Sequence, residues 1–428
     1  MPLLEKGNLK LRNAWAFYDW ANSVYSLVIS SAIFPLYYGF LFPKENPTVH
    51  FLGYDFKNTA LISFVTAFAF LTVAILSPLL SGIADYVGNK KRFMQFFCYL
   101  GAFSCIGMYW FTPENIYFGI LCFYLGLIGF WGSIVFYNSY LPDVAYPEQQ
   151  DKLSAKGYSL GYGGSVLLLL ACLFLIMTKE GTEALQAMRF SFVLTGIWWL
   201  LFSQYSFYYL PIGNKNSGKI SKHILFNGFK ELLKVQKELF QHIVLKRYLI
   251  AFFVYSMAVQ TVMLVATYFG EQEINWGGNT QKTMGLIISI LMIQIVAIFG
   301  ALLTSFLAKK IGNIKTLLFV NFIWVVVCII AFFITEPIEF YITAGIVGLV
   351  MGGIQSLSRS TYSKFLPNTS DTTSYFSFYD VAEKIGIVIG MLLYGFIDQI
   401  TGSMRNSIVF LALFFTAGIF LLLRVPKK

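Results

Sequence analysis

The chain has 428 residues, 57% of them hydrophobic, 18% aromatic and 12% charged. A soluble domain carries about 25% charged residues, so a soluble globular fold is excluded and an integral membrane protein is expected. The net charge of +10 then reads as basic loops that orient the chain in a bilayer, not as an affinity for nucleic acid.

The N-terminus, MPLLEKGNLKLRN, is short and basic. The apolar stretch after it is too long and too polar for a signal-peptide core, and retention is expected. That stretch, residues 13–40, organises the chain. About 20 residues cross a bilayer as a helix, and Trp15, Asp19, Asn22 and Ser26 fall at i, i+4, i+7 and i+11 on one face. A carboxylate and a carboxamide on a spanning helix must face protein or a water-filled cavity. Further spans are therefore required. Twelve are predicted, at about 14–41, 59–84, 93–112, 116–140, 157–178, 189–210, 248–270, 283–308, 314–335, 338–361, 374–398 and 404–424.

One set of alternate loops holds 24 Lys and Arg and the other holds 6, with Lys384 inside a span. This asymmetry predicts that both termini are cytoplasmic. The polar segment 211–247 begins as a linker and becomes amphipathic. Leu225, Phe229, Leu232, Leu233, Leu239, Phe240 and Ile243 oppose Lys222, Lys230, Lys234 and Lys237. The expectation is a helix lying on the cytoplasmic membrane surface. The segment divides the chain into 1–210 and 248–428, and the halves echo each other. SGIADYVGNKKR (81–92) matches SFLAKKIGNIKT (305–316) at an offset of 224, pairing Ser81 with Ser305, Ala84 with Ala308, Gly88 with Gly312, Asn89 with Asn313 and Lys91 with Lys315. Leu141-Pro142 matches Leu366-Pro367 at 225. Repeated halves with a site between them are the design of a secondary transporter.

Gly82-Ile-Ala-Asp85-Tyr-Val-Gly88-Asn-Lys90-Lys91-Arg92 resembles the loop signature of the major facilitator superfamily between helices 2 and 3. The resemblance implies a cytoplasmic gate latched by Asp85, Lys90, Lys91 and Arg92. Trp15-Ala-Phe-Tyr18-Asp19-Trp20-Ala-Asn22-Ser23, Leu153-Ser154-Ala-Lys-Gly157-Tyr158-Ser-Leu-Gly161-Tyr162-Gly-Gly164 and Gly352-Gly353-Ile-Gln355-Ser-Leu-Ser358-Arg359-Ser360 resemble helices 1, 5 and 10 of the vacuole effluxer family, relatives of autophagy-related protein 22 that include bacterial members. The pattern departs at Gly390-Met391, where Gly-Pro is expected. The family implies an all-α polytopic fold of twelve transmembrane helices in two pseudo-symmetric six-helix halves. It also implies a secondary transporter moving a small polar solute, amino acids by this resemblance, out of the cytoplasm by alternating access with a proton as coupling ion. A bacterial inner membrane is the expected location.

The residues have their own reading beside it. Gly157, Gly161 and Gly164 form a small helix face, read as packing. Gly352-Gly353 would let helix 10 bend and turn Gln355 to a cavity, either as a substrate contact or as a structural hydrogen bond. Arg359, near the cytoplasmic end, is read as a gate or interface residue that snorkels. On helix 11, Asp380 and Lys384 are i,i+4 and can pair, which leaves Glu383 without a local partner, about 15 Å deep. Desolvation of a bare carboxylate is the chemistry of a proton carrier; the alternatives are a basic partner elsewhere or a wet cavity. Asp19 lies nearer the surface and is either functional or a structural anchor.

Tyr18, Asp19, Asn22 and Gln355 are thus the substrate candidates, Glu383 and Asp380 the proton-coupling candidates, and Asp85, Lys90, Lys91, Arg92, Arg359 and Lys384 the gate candidates. No cofactor and no metal is expected. The five cysteines lie in apolar stretches without ligand spacing, and His50, His223 and His242 lie outside the spans. The expected partners are a small-molecule substrate, membrane lipid and a proton, with no nucleic acid, and the expected state is a monomer. The alternative is a broad-specificity drug or metabolite effluxer. An intramembrane enzyme would need a catalytic constellation in a span, and a sensor an added signalling domain.

Overall fold

Apolar stretches of this length have one way to satisfy their backbone in lipid, which is to form helices that bond internally. The computed structural model describes residues 4–42, 48–212, 224–401 and 403–426 and is helical almost throughout. In order, the elements are α1 (Leu9–Val24), a π-helix (Tyr25–Ile33), α2 (Phe34–Leu41), β1 (Thr48–Phe51), β2 (Tyr54–Lys57), α3 (Asn58–Val87), α4 (Lys90–Gly107), a 3₁₀ turn (Met108–Trp110), α5 (Ile116–Ser139), α6 (Leu141–Val144), α7 (Pro147–Met177) and α8 (Gly181–Tyr209). There follow α9 (Ile224–Gln241), α10 (Ile243–Glu273), α11 (Asn279–Ile311), α12 (Asn313–Phe333), α13 (Pro337–Phe365), α14 (Thr372–Thr401) and α15 (Met404–Leu423). Among the described residues, ten helices are long and apolar enough to cross a membrane. Two more, α4 and α14, complete the set of twelve. Each carries a cluster of three charged residues, Lys90–Arg92 on α4 and Asp380, Glu383 and Lys384 on α14.

The chain packs as two units. The first comprises 1–140 and 160–232, the second 141–159 and 233–428. In the first, α4 packs on α5 and α8, α1 on α8, and α3 on α5. Trp15, Tyr18, Tyr25 and Trp199 are fully enclosed there. In the second, α13 lies along α11, and α15 on α10 and α12. The α11–α13 seam is a backbone contact: a Cβ at Gly352 would meet the Ala297 carbonyl and one at Gly300 the Leu349 carbonyl. Only small residues permit such an approach.

Gly352 and Gly353 lie on this seam, packed against α11, and α13 runs without interruption from Pro337 to Phe365. Gly161 and Gly164 serve likewise against Ser23 and Trp20, the packing role expected of them. The predicted stripe on the first span breaks. Trp15, Asp19 and Asn22 are buried, but Ser26 is exposed. The π-helix begins at Tyr25, and its wider turn rotates later residues off the α-helical face.

The sequence repeat carries a shared backbone feature. Gly88 and Gly312 have φ of 70° and 87°, and each donates its N–H to the residue four before it, Ala84 and Ala308, at 2.9 Å. Both helices end on a left-handed glycine, which has no Cβ to oppose that backbone.

A feature the sequence reading did not anticipate is the hairpin of β1 and β2, paired antiparallel with Val49 opposite Phe56. It turns at Leu52 and Gly53, both at positive φ. Amphipathic α9 is present as expected. Val235 and Leu239 are buried, while Phe226, Phe229, Leu233 and Phe240 stay exposed. The linker at 213–223, with Lys222, lies outside the described residues, as does the Leu225 side chain.

Candidate functional site

The charged residues of α14 converge on one cleft within the second unit. Asp380 and Lys384 share a face, and the lysine ammonium lies 2.5 Å from Asp380 Oδ1. It also lies 3.1 Å from Glu383 Oε2. The other Glu383 oxygen, Oε1, accepts a hydrogen bond from Gln260 Nε2 on α10 at 2.7 Å. Glu383 therefore has two partners, contrary to the sequence expectation. Helix spacing assigns Lys384 to Asp380, but a four-carbon stem with three donors serves two carboxylates at once. Gln260 approaches from a helix more than a hundred residues away in sequence, beyond the reach of local pairing rules. The Asp380 and Lys384 side chains are 3% and 1% exposed, against 17% for Glu383. Glu383 is the member of the triad that meets the cleft.

The remaining lining comes from four helices. α10 gives Phe252, Tyr255, Ser256, Val259 and Gln260; α13 gives Ile354, Gln355 and Ser358; α14 adds Tyr379; and α7 supplies Tyr158. The space holds little more than a water-sized group. Its floor is aromatic and fixed. Phe252 stacks on Tyr379 with ring centroids 4.0 Å apart, and the Tyr255 hydroxyl bonds Ser358 Oγ at 2.8 Å. Tyr248 donates to the Ser358 carbonyl at 2.9 Å. Gln355 reaches the cleft from α13, its Nε2 lying 3.5 Å from Met263 Sδ.

Arg359 does not snorkel; it is 2% exposed. Its Nε donates to Ser154 Oγ at 2.9 Å, its Nη2 donates to the Ser154 carbonyl at 3.1 Å, and its guanidinium lies 4.2 Å over the Tyr158 ring. Nearby, Lys364 and Asp151 pair at 2.5 Å, and Asn313 donates to both Asp151 (2.8 Å) and Thr361 (2.9 Å). The first turns of α7 are thereby held to α12 and α13, which fixes Tyr158 at the cleft.

The other predicted residues lie in the first unit. Asp19 is 6% exposed and Asn22 1%. Tyr137 donates its hydroxyl to Asp19 Oδ2 at 2.7 Å and stacks on Trp15 at 4.6 Å. The Trp15 indole N–H donates to the Tyr137 carbonyl at 2.9 Å. Tyr18 is fully buried against Tyr137 and Phe207. Asp85, Lys90 and Lys91 are buried, and Arg92 is exposed. Lys90 donates to the Ser139 carbonyl at 3.0 Å and Lys91 to the Leu210 carbonyl at 2.9 Å. The two lysines thus place positive charge at the C-terminal ends of α5 and α8, where helix dipoles favour it.

The sequence reading paired Asp380 with Lys384, as found, and named Gln355, Glu383 and Arg359 separately; the structure brings all five to the cleft or its wall. It missed Gln260, Tyr158, Ser358 and Tyr379. A signal was present: Ser256 and Gln260, Gln355 and Ser358, and Tyr379 and Glu383 are each three or four apart, one helix face per pair. Which faces meet is a tertiary fact.

Comparison with known proteins agrees with this architecture. A family model described as "Vacuole effluxer Atg22 like" matches residues 8–428. The MFS-type transporter YxiO of Bacillus subtilis (strain 168) is 32% identical over 431 residues, covering 98% of this chain and 95% of that protein. Autophagy-related protein 22 of Saccharomyces cerevisiae (strain ATCC 204508 / S288c) is 26% identical over 410 residues, covering 83% and 75%. Among solved structures, the major facilitator superfamily transporter FucP in the outward conformation superposes with a TM-score of 0.70 at 15% identity, over 98% of each chain. The proton:xylose symporter XylE bound to 6-bromo-6-deoxy-D-glucose superposes with a TM-score of 0.71 at 14% identity, over 97% and 95%. The fold is that of the major facilitator superfamily, and the chain, an integral multi-pass membrane protein, belongs to the vacuole effluxer Atg22-like family of MFS-type transporters.

Proposed function

We propose that this protein is a proton-coupled secondary transporter that moves a small polar solute, with amino acids the class suggested by its family, out of the cytoplasm by alternating access between its halves. The observation that carries the reading is the buried triad of Asp380, Lys384 and Glu383, with only Glu383 meeting the cleft. Two carboxylates and one ammonium carry a formal charge of −1, and one proton neutralises the group. Gln355, Gln260, Tyr158 and Ser358 are the substrate contacts in this reading, with Tyr18, Asp19 and Asn22 the polar groups of the first unit. Asp85, Arg92 and Arg359 are the gate residues; Lys90 and Lys91 hold helix ends, and Lys384 acts through the triad. Both termini are cytoplasmic, in a bacterial inner membrane, and the working unit is a monomer.

Glu383→Gln fixes the neutral form. In proteoliposomes under an imposed pH gradient the variant is expected to lose concentrative transport while keeping solute exchange. Accumulation equal to wild type would falsify the triad as the coupling site. The broad-specificity alternative draws on the aromatic floor of Phe252, Tyr255 and Tyr379. Competition by bulky apolar cations as strong as by amino acids would favour it.

A further inference from the structure

The hairpin at Thr48–Lys57 has two unlike faces. Its register sets Val49 opposite Phe56 and Phe51 opposite Tyr54, and Thr48 opposite Lys57 and His50 opposite Asp55. Paired residues share a face and neighbours along a strand alternate, so one face is apolar and aromatic and the other polar. On the polar face Thr48, His50 and Asp55 are exposed, and His50 Nδ1 lies 2.8 Å from Asp55 Oδ1. The apolar face is covered by protein only in part. Val49 is buried, Phe51 stacks on Tyr117 of α5 with ring centroids 4.9 Å apart, and Phe56 meets Phe64 of α3 edge-on at 6.2 Å. Tyr54 and the turn residue Leu52 overhang this contact, 72% and 70% exposed.

The turn runs against its own propensity. Leu52 and Gly53 have φ of 50° and 82°, and two-residue hairpin turns with both residues left-handed favour Asn-Gly. A branched apolar side chain there opposes the backbone and, in water, gains nothing from its exposure. In lipid the same exposure is burial. The position of the hairpin supplies that lipid. It runs directly into α3, whose 30 residues reach about 45 Å at 1.5 Å each, against a hydrocarbon core of about 30 Å and about 40–45 Å with headgroups. The first turns of α3 therefore stand in the headgroup layer, and the hairpin with them. The exposed apolar surface continues onto the spans, through Phe64, Phe68 and Leu71 of α3 and Tyr117 and Leu121 of α5.

We propose that the hairpin is a membrane-interface anchor. Its apolar edge, led by Leu52 and Tyr54, inserts among the headgroups and upper acyl chains of the phospholipid bilayer, while Thr48, His50 and Asp55 stay on the aqueous side. Tyr54 suits this layer, with an apolar ring and a hydroxyl for the headgroups. The overhanging residues are uncharged, so the partner is the phospholipid layer itself and not a particular charged headgroup. The contact fixes the depth of the first turn of α3.

The test places a nitroxide label on the full-length protein in vesicles of phosphatidylethanolamine and phosphatidylglycerol, at Leu52→Cys, Tyr54→Cys, Thr48→Cys and His50→Cys in turn. The five native cysteines are buried and stay unlabelled. Collision with oxygen, which concentrates in lipid, is compared with collision with a water-soluble nickel chelate. Oxygen is expected to dominate at 52 and 54 and the chelate at 48 and 50. Labels at 52 and 54 as open to the chelate as those at 48 and 50 overturn the anchor. So do labels at 52 and 54 shielded from both reagents, which would mean a protein covering; dipolar broadening that disappears on dilution with unlabelled protein would identify it as a second copy of this chain.

Discussion

Tyr137 illustrates how single side chains decide whether a buried charge is tolerated. Its hydroxyl donates to Asp19 and its ring packs on Trp15, so one residue both solvates the carboxylate and fills the core around it. Removing the donor leaves Asp19 with one fewer hydrogen bond in a dry setting, which costs about 1–3 kcal/mol. Tyr137→Phe is therefore expected to lower the unfolding temperature in detergent, and Tyr137→Phe combined with Asp19→Asn should recover part of the loss. An unchanged melting temperature in the single variant would show that Asp19 does not depend on this hydroxyl. The same logic separates the sequence reading of Glu383 from its structure. Local spacing offers Lys384 to Asp380, but the second contact of Lys384 and the amide of Gln260 depend on rotamers and on a distant helix.

Among the elements, the tightest junctions are made by what is missing from side chains. At the α11–α13 seam, Gly300, Gly348 and Gly352 admit backbone to backbone. A Val in place of Gly352 has to push α11 away, and overpacking of this kind costs about 1–3 kcal/mol. Gly352→Val should reduce the yield of monodisperse protein, whereas Gly345→Ala on the same helix, where a Cβ meets open space, should be neutral; equal behaviour of the two would refute the seam argument. Arg405 is the polar counterpart. Its guanidinium binds Glu273 Oε2 at 2.8 Å and also donates to the carbonyls of Phe332, Ile334 and Glu273, tying the ends of α10 and α12 to the start of α15. Arg405→Lys keeps the charge and loses the fork. A drop in thermal stability with this variant is the expected result.

At the level of the whole molecule, the reading is a transporter whose halves are oriented by their basic loops. Reporter fusions at each terminus should report a cytoplasmic location, and a periplasmic signal from either would overturn the orientation. The gate proposal is checked in the same molecule. Asp85 is buried in the last turn of α3, and Asp85→Asn should raise the accessibility of single reporter cysteines introduced on the cytoplasmic side of the transport path. The five native cysteines are buried, which keeps the background of such labelling low. Unchanged accessibility would remove Asp85 from the gate.

Composition and period by themselves determined the membrane class, the number of long helices and the internal repeat. These properties follow from hydrophobic length and from residues at fixed offsets, both of which are linear in the chain. Even Gly88 and Gly312, paired at 224, adopt the backbone that a terminal glycine dictates. The π-helix at Tyr25–Ile33 and the hairpin at Thr48–Lys57 lay beyond that reading. So did the cleft. Gln260, Gln355, Glu383 and Tyr158 come from four helices, and helix periodicity says which residues share a face but not which faces meet. That choice belongs to packing, through glycine seams that bring backbones together and long side chains such as Gln260 and Arg359 that pick their partners across helices. The tertiary structure alone made one site of them.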